Sequence, residues 1–175
     1  MFGEGPHHAP LLLIGEAPGA EEERLGRPFV GKAGKNLDEL LTAVALRREA
    51  IRITNAVKVR PTKRSAAGNT VNRPPDRREL AFFAPVLAEE LRLEAPGLIV
   101  TLGNTPLNML AGKEITVGAA HGAVLETGGL RLFPLYHPAA IIYNRSLKTV
   151  YDGDMRTLAA LVRQMGLYPA EVEHG

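Results

Sequence analysis

The chain has 175 residues, 45% of them hydrophobic and 23% charged, and no cysteine. That length predicts one domain over residues 1–175 with a core at about 10–165, and the missing cysteine excludes disulfides, thiolate metal sites, cysteine-ligated iron–sulfur clusters and a cysteine nucleophile. The formal charge of +2 hides a segregation: residues 47–78 hold ten Lys/Arg against two acidic residues, and the rest of the chain holds eleven against seventeen.

A basic segment of this kind points to an acidic partner, nucleic acid or phosphate first. The plain alternative is a solvated basic loop. Fifteen of the 21 cations are Arg, the better fork for phosphate oxygens. No apolar run is long enough to span a membrane. The opening MFGEGPHHAP lacks the basic and apolar regions of a signal peptide. A cytoplasmic protein without membrane attachment is therefore expected, and a monomer.

In chain order, residues 10–14 (PLLLI) form a continuous apolar run stopped by Gly15, the pattern of a buried parallel strand. Residues 15–34 are dense in Gly and Pro and read as an ordered loop with a helical turn at 20–24. Leu37, Leu40, Leu41 and Val44 predict a helix over 34–46. IRITN at 51–55 predicts a second strand. A basic loop follows at 61–75. Leu80, Phe83, Leu87 and Leu91 predict a helix over 75–93, and LIVTL at 98–102 a third buried strand. A short helix starts at 105–110. Leu125 and residues 130–135 flank ETGG as a hairpin. The last helix spans 146–165, with Leu147, Val150, Tyr151, Leu158, Leu161 and Val162 facing inward. Alternating strands and helices predict a three-layer α/β/α sandwich with a largely parallel central sheet. Such folds bind ligands at the carboxyl ends of their strands, where the loops after Gly15, Asn55 and Leu135 gather.

Four clusters there can carry chemistry. Gly15-Glu16-Ala17-Pro18-Gly19 is a strand-to-turn junction that exposes backbone N–H groups beside a lone carboxylate, or a structural turn. Phe29, between Pro28 and Gly31, is either a plug over the core or a surface for stacking on a ring. Asn55 ends the second strand; its amide suits the polar edge of a base, although an Asx turn uses the same group. His137 ends the last strand and can donate to a developing anion. The bulky residues after it, Ile141, Ile142 and Tyr143, form an exposed wedge or pack on a neighbouring helix.

Taken together, GEAPGAEEERLGRPFVGKAGKNLDELL, ITNAVKVRP, LIVTLGNTPLNMLAG and YHPAAIIYNRSLK resemble, in order and over residues 11–162, the family 4 uracil-DNA glycosylases. The resemblance implies the sandwich of that superfamily. It implies a partner, DNA containing uracil or another deaminated base, from which a flipped base is hydrolysed to leave an abasic site. It implies that Phe29 stacks on the base and that Asn55 accepts from N3–H and donates to O4. His137 would stabilise the leaving anion near O2. Glu16, with Gly15 and Ala17, would flank the sugar and the attacking water. Pro18, Gly19, Pro138 and Ala139 would hold phosphates, joined by the cations Lys58, Arg60 and Arg145. Ile141 and its neighbours Ile142 and Tyr143 would fill the gap left in the duplex.

The chain departs from that family in one respect. Family 4 enzymes carry a four-cysteine iron–sulfur cluster, and all four ligands are absent here. The third position reads Val59 and the fourth falls near Phe83, which suggests a cluster site filled by apolar core. No cofactor or metal is expected, since His7, His8, His121 and His174 do not form ligand spacing. The base range stays open to hypoxanthine and xanthine, and a non-catalytic relative that only binds damaged DNA is the other alternative.

Overall fold

The computed structural model describes residues 1–167, so His174 lies outside the described residues. Strand β1 (Leu11–Gly15) is buried along its whole length. Its alternation splits the core in two, because successive side chains point to opposite faces. Leu11 and Leu13 join one apolar cluster, and Leu12 and Ile14 join the other.

Helix α1 (Ala20–Leu25) and helix α2 (Lys32–Ala43) follow β1 and lead to β2 (Arg52–Asn55). The helix predicted over 34–46 starts two residues earlier and stops at Ala43, since Ala45 turns into the left-handed region at φ 57°. The expected basic loop at 61–75 is in fact an antiparallel hairpin, β3 (Thr62–Arg64) with β4 (Thr70–Asn72), separate from the main sheet. It lacks an apolar face, which is why it reads as a loop.

Helix α3 (Arg77–Glu94) is capped by Asp76, whose carboxylate accepts from the N–H groups of Arg78 and Glu79. β5 (Leu98–Leu102), α4 (Asn104–Ala111) and α5 (Val117–Ala120) come next. β6 (Leu125–Thr127) and β7 (Leu130–Leu135) pair around Gly128 and Gly129. Both glycines have positive φ, 55° and 79°, as the tight turn of the predicted hairpin requires. α6 (Ala140–Tyr143) and α7 (Leu147–Gln164) close the described chain. Tyr151, Leu158 and Val162 of α7 are buried as expected, but Val150 is exposed.

The main sheet has the order β2-β1-β5-β7-β6, parallel except for β6 at the edge. α2 and α7 pack on the face of Leu13, Val100 and Phe133. α3 and α4 pack on the face of Ile14, Ile99 and Leu132. This is the expected three-layer α/β/α arrangement. The chain leaves β1 toward β2 but leaves β5 toward β7, so the connections diverge at the carboxyl ends of β1 and β5. Ligand crevices open at such points.

The expected apolar filling of the cluster position is corrected by the structure. Val57 is fully buried, yet Val59 turns outward and is 51% exposed. The inward stripe of α3 is Leu87 and Leu91. Phe83, a turn earlier, is only half-buried and meets Phe82 edge-on, with ring centroids 5.0 Å apart. Among the described residues no group of His, Cys, Asp and Glu side chains is placed to hold a metal ion. Two apolar side chains offer an iron–sulfur cluster no ligand, so the residues present do not fit that group.

Candidate active site

A cavity of about 450 Å³ opens at the strand ends. Glu16, Ala17, Pro18, Gly19, Phe29, Asn55, His137 and Ala139 all line it. Gly15 sits beneath. A Cβ there would stand 2.4 Å from Asn55 Oδ1 and 2.5 Å from the Phe29 ring. Glycine alone lets the ring and the amide approach each other this closely. Gly15→Ala is expected to displace one or both and slow the reaction by about 10²-fold with the fold retained. Single-turnover rates beside circular dichroism test this.

Phe29 has φ 52°, a strained conformation for a bulky residue. Three ties hold it there. Arg48 donates to the carbonyls of Pro28 (2.7 Å) and Phe29 (3.1 Å) and to Asp38 (2.8 Å). Glu22 accepts from Val30 N–H (3.0 Å), Gly31 N–H (2.8 Å) and Gly19 N–H (3.1 Å). Gly34 of α2 lies against the Phe29 carbonyl, where a Cβ would stand 1.9 Å from the oxygen.

Asn55 is 5% exposed, and among the described residues its carboxamide has no hydrogen-bond partner. Its donor and acceptor both remain for a ligand. Its backbone carbonyl is held by Lys58 Nζ at 2.7 Å. Lys58 also donates to Thr54 (2.9 Å) and pairs with Glu90 of α3. Burial pushes the Lys58 pKa down, and Glu90 pushes it back up. Lys58 is thus a buried strut behind the site; the expectation that it meets phosphate is corrected. Arg60 is similarly committed, to Asn72 Oδ1 (2.7 Å) and Glu23 (3.0 Å), with its side chain 13% exposed.

His137 Nδ1 accepts from Ala139 N–H at 3.1 Å, which assigns the proton to Nε2. Burial lowers the pKa of the ring; the Glu22 carboxylate opposes this. A neutral imidazole with Nε2–H as its free donor results. Its ring centroid is 5.8 Å from that of Phe29. Glu16 accepts from Thr105 Oγ1, so the start of α4 steadies the carboxylate.

Pro138 is buried, and its carbonyl accepts from Asn36. The wedge is narrower than expected. Ile141 packs against the core, whereas Ile142 and Tyr143 are exposed, Tyr143 to 89%. Arg145 is exposed on the same loop, outside the cavity. Sequence reasoning missed Glu22, Lys32, Asn72, Arg73 and Thr105. The first four line the cavity. Thr105 alone carried a signal, its place just after a buried strand. Aromatic face, free amide, imidazole donor and carboxylate together suit a planar heterocycle with a polar edge, from which a leaving anion can be stabilised.

Comparison with known proteins agrees with that chemistry. Residues 2–157 match the Uracil DNA glycosylase superfamily. The chain belongs to this superfamily. It is similar to its type-4 members: 34% identical to the type-4 uracil-DNA glycosylase of Thermotoga maritima over 170 residues, 95% of this chain and 84% of that protein. The Archaeoglobus fulgidus type-4 enzyme is also 34% identical, over 91% of this chain and 80% of that protein. In fold, the chain is similar to the crystal structure of WT Pedobacter heparinus SMUG2, with a TM-score of 0.55 at 14% identity, covering 90% of this chain and 76% of that one.

Proposed function

We propose that the protein is a uracil-DNA glycosylase that flips uracil from DNA and hydrolyses its N-glycosidic bond. The observation that carries this is the convergence of Phe29, Asn55, His137 and Glu16 on one cavity, with the Asn55 amide unspent. Phe29 stacks on the base. Asn55 accepts from N3–H and donates to O4. As the C1′–N1 bond breaks, the electron pair goes to the base, and His137 Nε2–H donates to the developing oxyanion at O2. The sugar becomes oxocarbenium-like, and Glu16 faces that charge and orients the water that adds to C1′. The water's proton ends on the base or in solvent, so the products are uracil and an abasic site. Gly19 and the turn at Pro138 and Ala139 hold the flanking phosphates, and Ile142 with Tyr143 occupies the vacated stack.

We further propose a monofunctional, cofactor-free enzyme that works as a monomer in the cytoplasm. The lack of cysteine supports the cofactor reading. Among the described residues no helix is long and apolar enough to cross a membrane. Purified protein should be colourless, free of iron by elemental analysis, and unaffected by chelators. It should convert a uracil oligonucleotide to a product that breaks only after alkali. Breakage before alkali would point to the Lys32 amine at the cavity and overturn monofunctionality. No product with uracil in single strands or opposite guanine or adenine would overturn the enzyme itself. Hypoxanthine and xanthine substrates in the same panel fix the base range.

A further inference from the structure

The ten cations of residues 47–78 divide once their partners are known. Arg48, Arg52, Lys58, Arg60 and Arg73 all pair with internal carboxylates. Lys63, Arg77 and Arg78 are exposed, and among the described residues their side chains are bonded to nothing. Arg64 is exposed and donates only to the Gly68 carbonyl of its own turn, at 2.8 Å. These four lie on the β3–β4 hairpin or in the first turn of α3.

Folding gives no reason for cations at those places. Arg77 and Arg78 oppose the dipole of the helix they begin, and Asp76 with Glu79 already caps it. A two-stranded hairpin outside the main sheet is marginal by itself. This one is braced at its base. Arg60 joins Asn72 to Glu23 of α1, and Arg73 joins the Thr62 carbonyl (3.1 Å) to Glu79 of α3 (2.6 Å). The braces aim it at the cavity, which Asn72 and Arg73 line. Asn72 Nδ2 lies 3.6 Å from where a Cβ on Gly19 would stand. The pairs Thr62 with Asn72 and Arg64 with Thr70 share one face of the ladder. Arg64 therefore stands on the cavity-side face, further out than Asn72. Lys63 takes the other face.

We propose that the β3–β4 hairpin, with the first turn of α3, is a second DNA-binding arm that grips backbone phosphates beside the nucleotide in the cavity. It takes its polymer from the glycosylase reading, while its charge and aim are independent of it. The test is equilibrium binding of K63S/R64S and R77S/R78S to uracil-containing and uracil-free oligonucleotides across a salt series. Each pair should raise Kd about three- to tenfold near 0.1 M salt and lower the slope of log Kd against log salt by about one to two. R92S/R131S, which removes equal charge from exposed positions at the other end of the sheet, should leave both unchanged. Arm variants that match this control, or that raise Kd without changing the slope, overturn the proposal. A wild-type protein that binds DNA with the arm-dependent slope but excises no uracil overturns the glycosylase reading and leaves the arm standing.

Discussion

His137→Ala is expected to lower the excision rate by about 10²–10⁴-fold, mostly in the chemical step. The ring is the one side-chain N–H donor of the cavity whose tautomer is fixed from behind, by the Ala139 N–H. Its value is greatest as charge reaches O2, so binding should suffer less than turnover. Single-turnover kinetics at saturating DNA measures this, and an unchanged rate would remove His137 from the mechanism. The substitution also has a signature in stability. Burial holds the folded-state pKa below the ordinary histidine value. In the unfolded chain the ring takes its proton at a higher pH than in the folded protein. Stability therefore falls as pH drops from the ordinary value towards the lowered one. That part of the acid sensitivity should vanish in the alanine variant, as pH-dependent melting will show.

Asn55→Asp is expected to lower the preference for uracil over cytosine by about 10- to 100-fold, the equivalent of one unpaired buried donor. Cytosine presents a donor at C4 where uracil presents an acceptor. The Asn55 amide, held by its carbonyl bond to Lys58, would face that donor with a donor of its own. A carboxylate removes the clash and also loses the bond to uracil O4. Excision of uracil and of cytosine opposite guanine gives the ratio directly. An unchanged ratio would move base reading to another group.

The strands and their order of use were legible because burial on two faces leaves a plain trace. LLLI and LIVTL are continuous apolar runs, as strands covered on both sides must be. The site residues at their ends followed from position. The supports did not. Glu22 is one of three consecutive glutamates, and nothing local distinguishes the one that reaches Gly19, Val30 and Gly31. Lys58 reads as part of a basic run, since its partner Glu90 lies on a distant helix. Val59 reads as core by its apolar side chain, but its neighbours Val57 and Lys58 take the inward positions. In each case the deciding contact is long-range, and periodicity carries only local information.

The Phe29 backbone has one more implication. Its left-handed turn is fixed by Glu22, Arg48 and Gly34, all parts of the protein itself. The conformational cost of building the stacking platform is therefore met when the chain folds, not when DNA arrives. An incoming nucleotide must rotate and leave its partner, but no loop has to be ordered around it. The kinetic difference between one DNA context and another then resides in the duplex: the weaker the pairing of the target base, the shorter its path to the aromatic face.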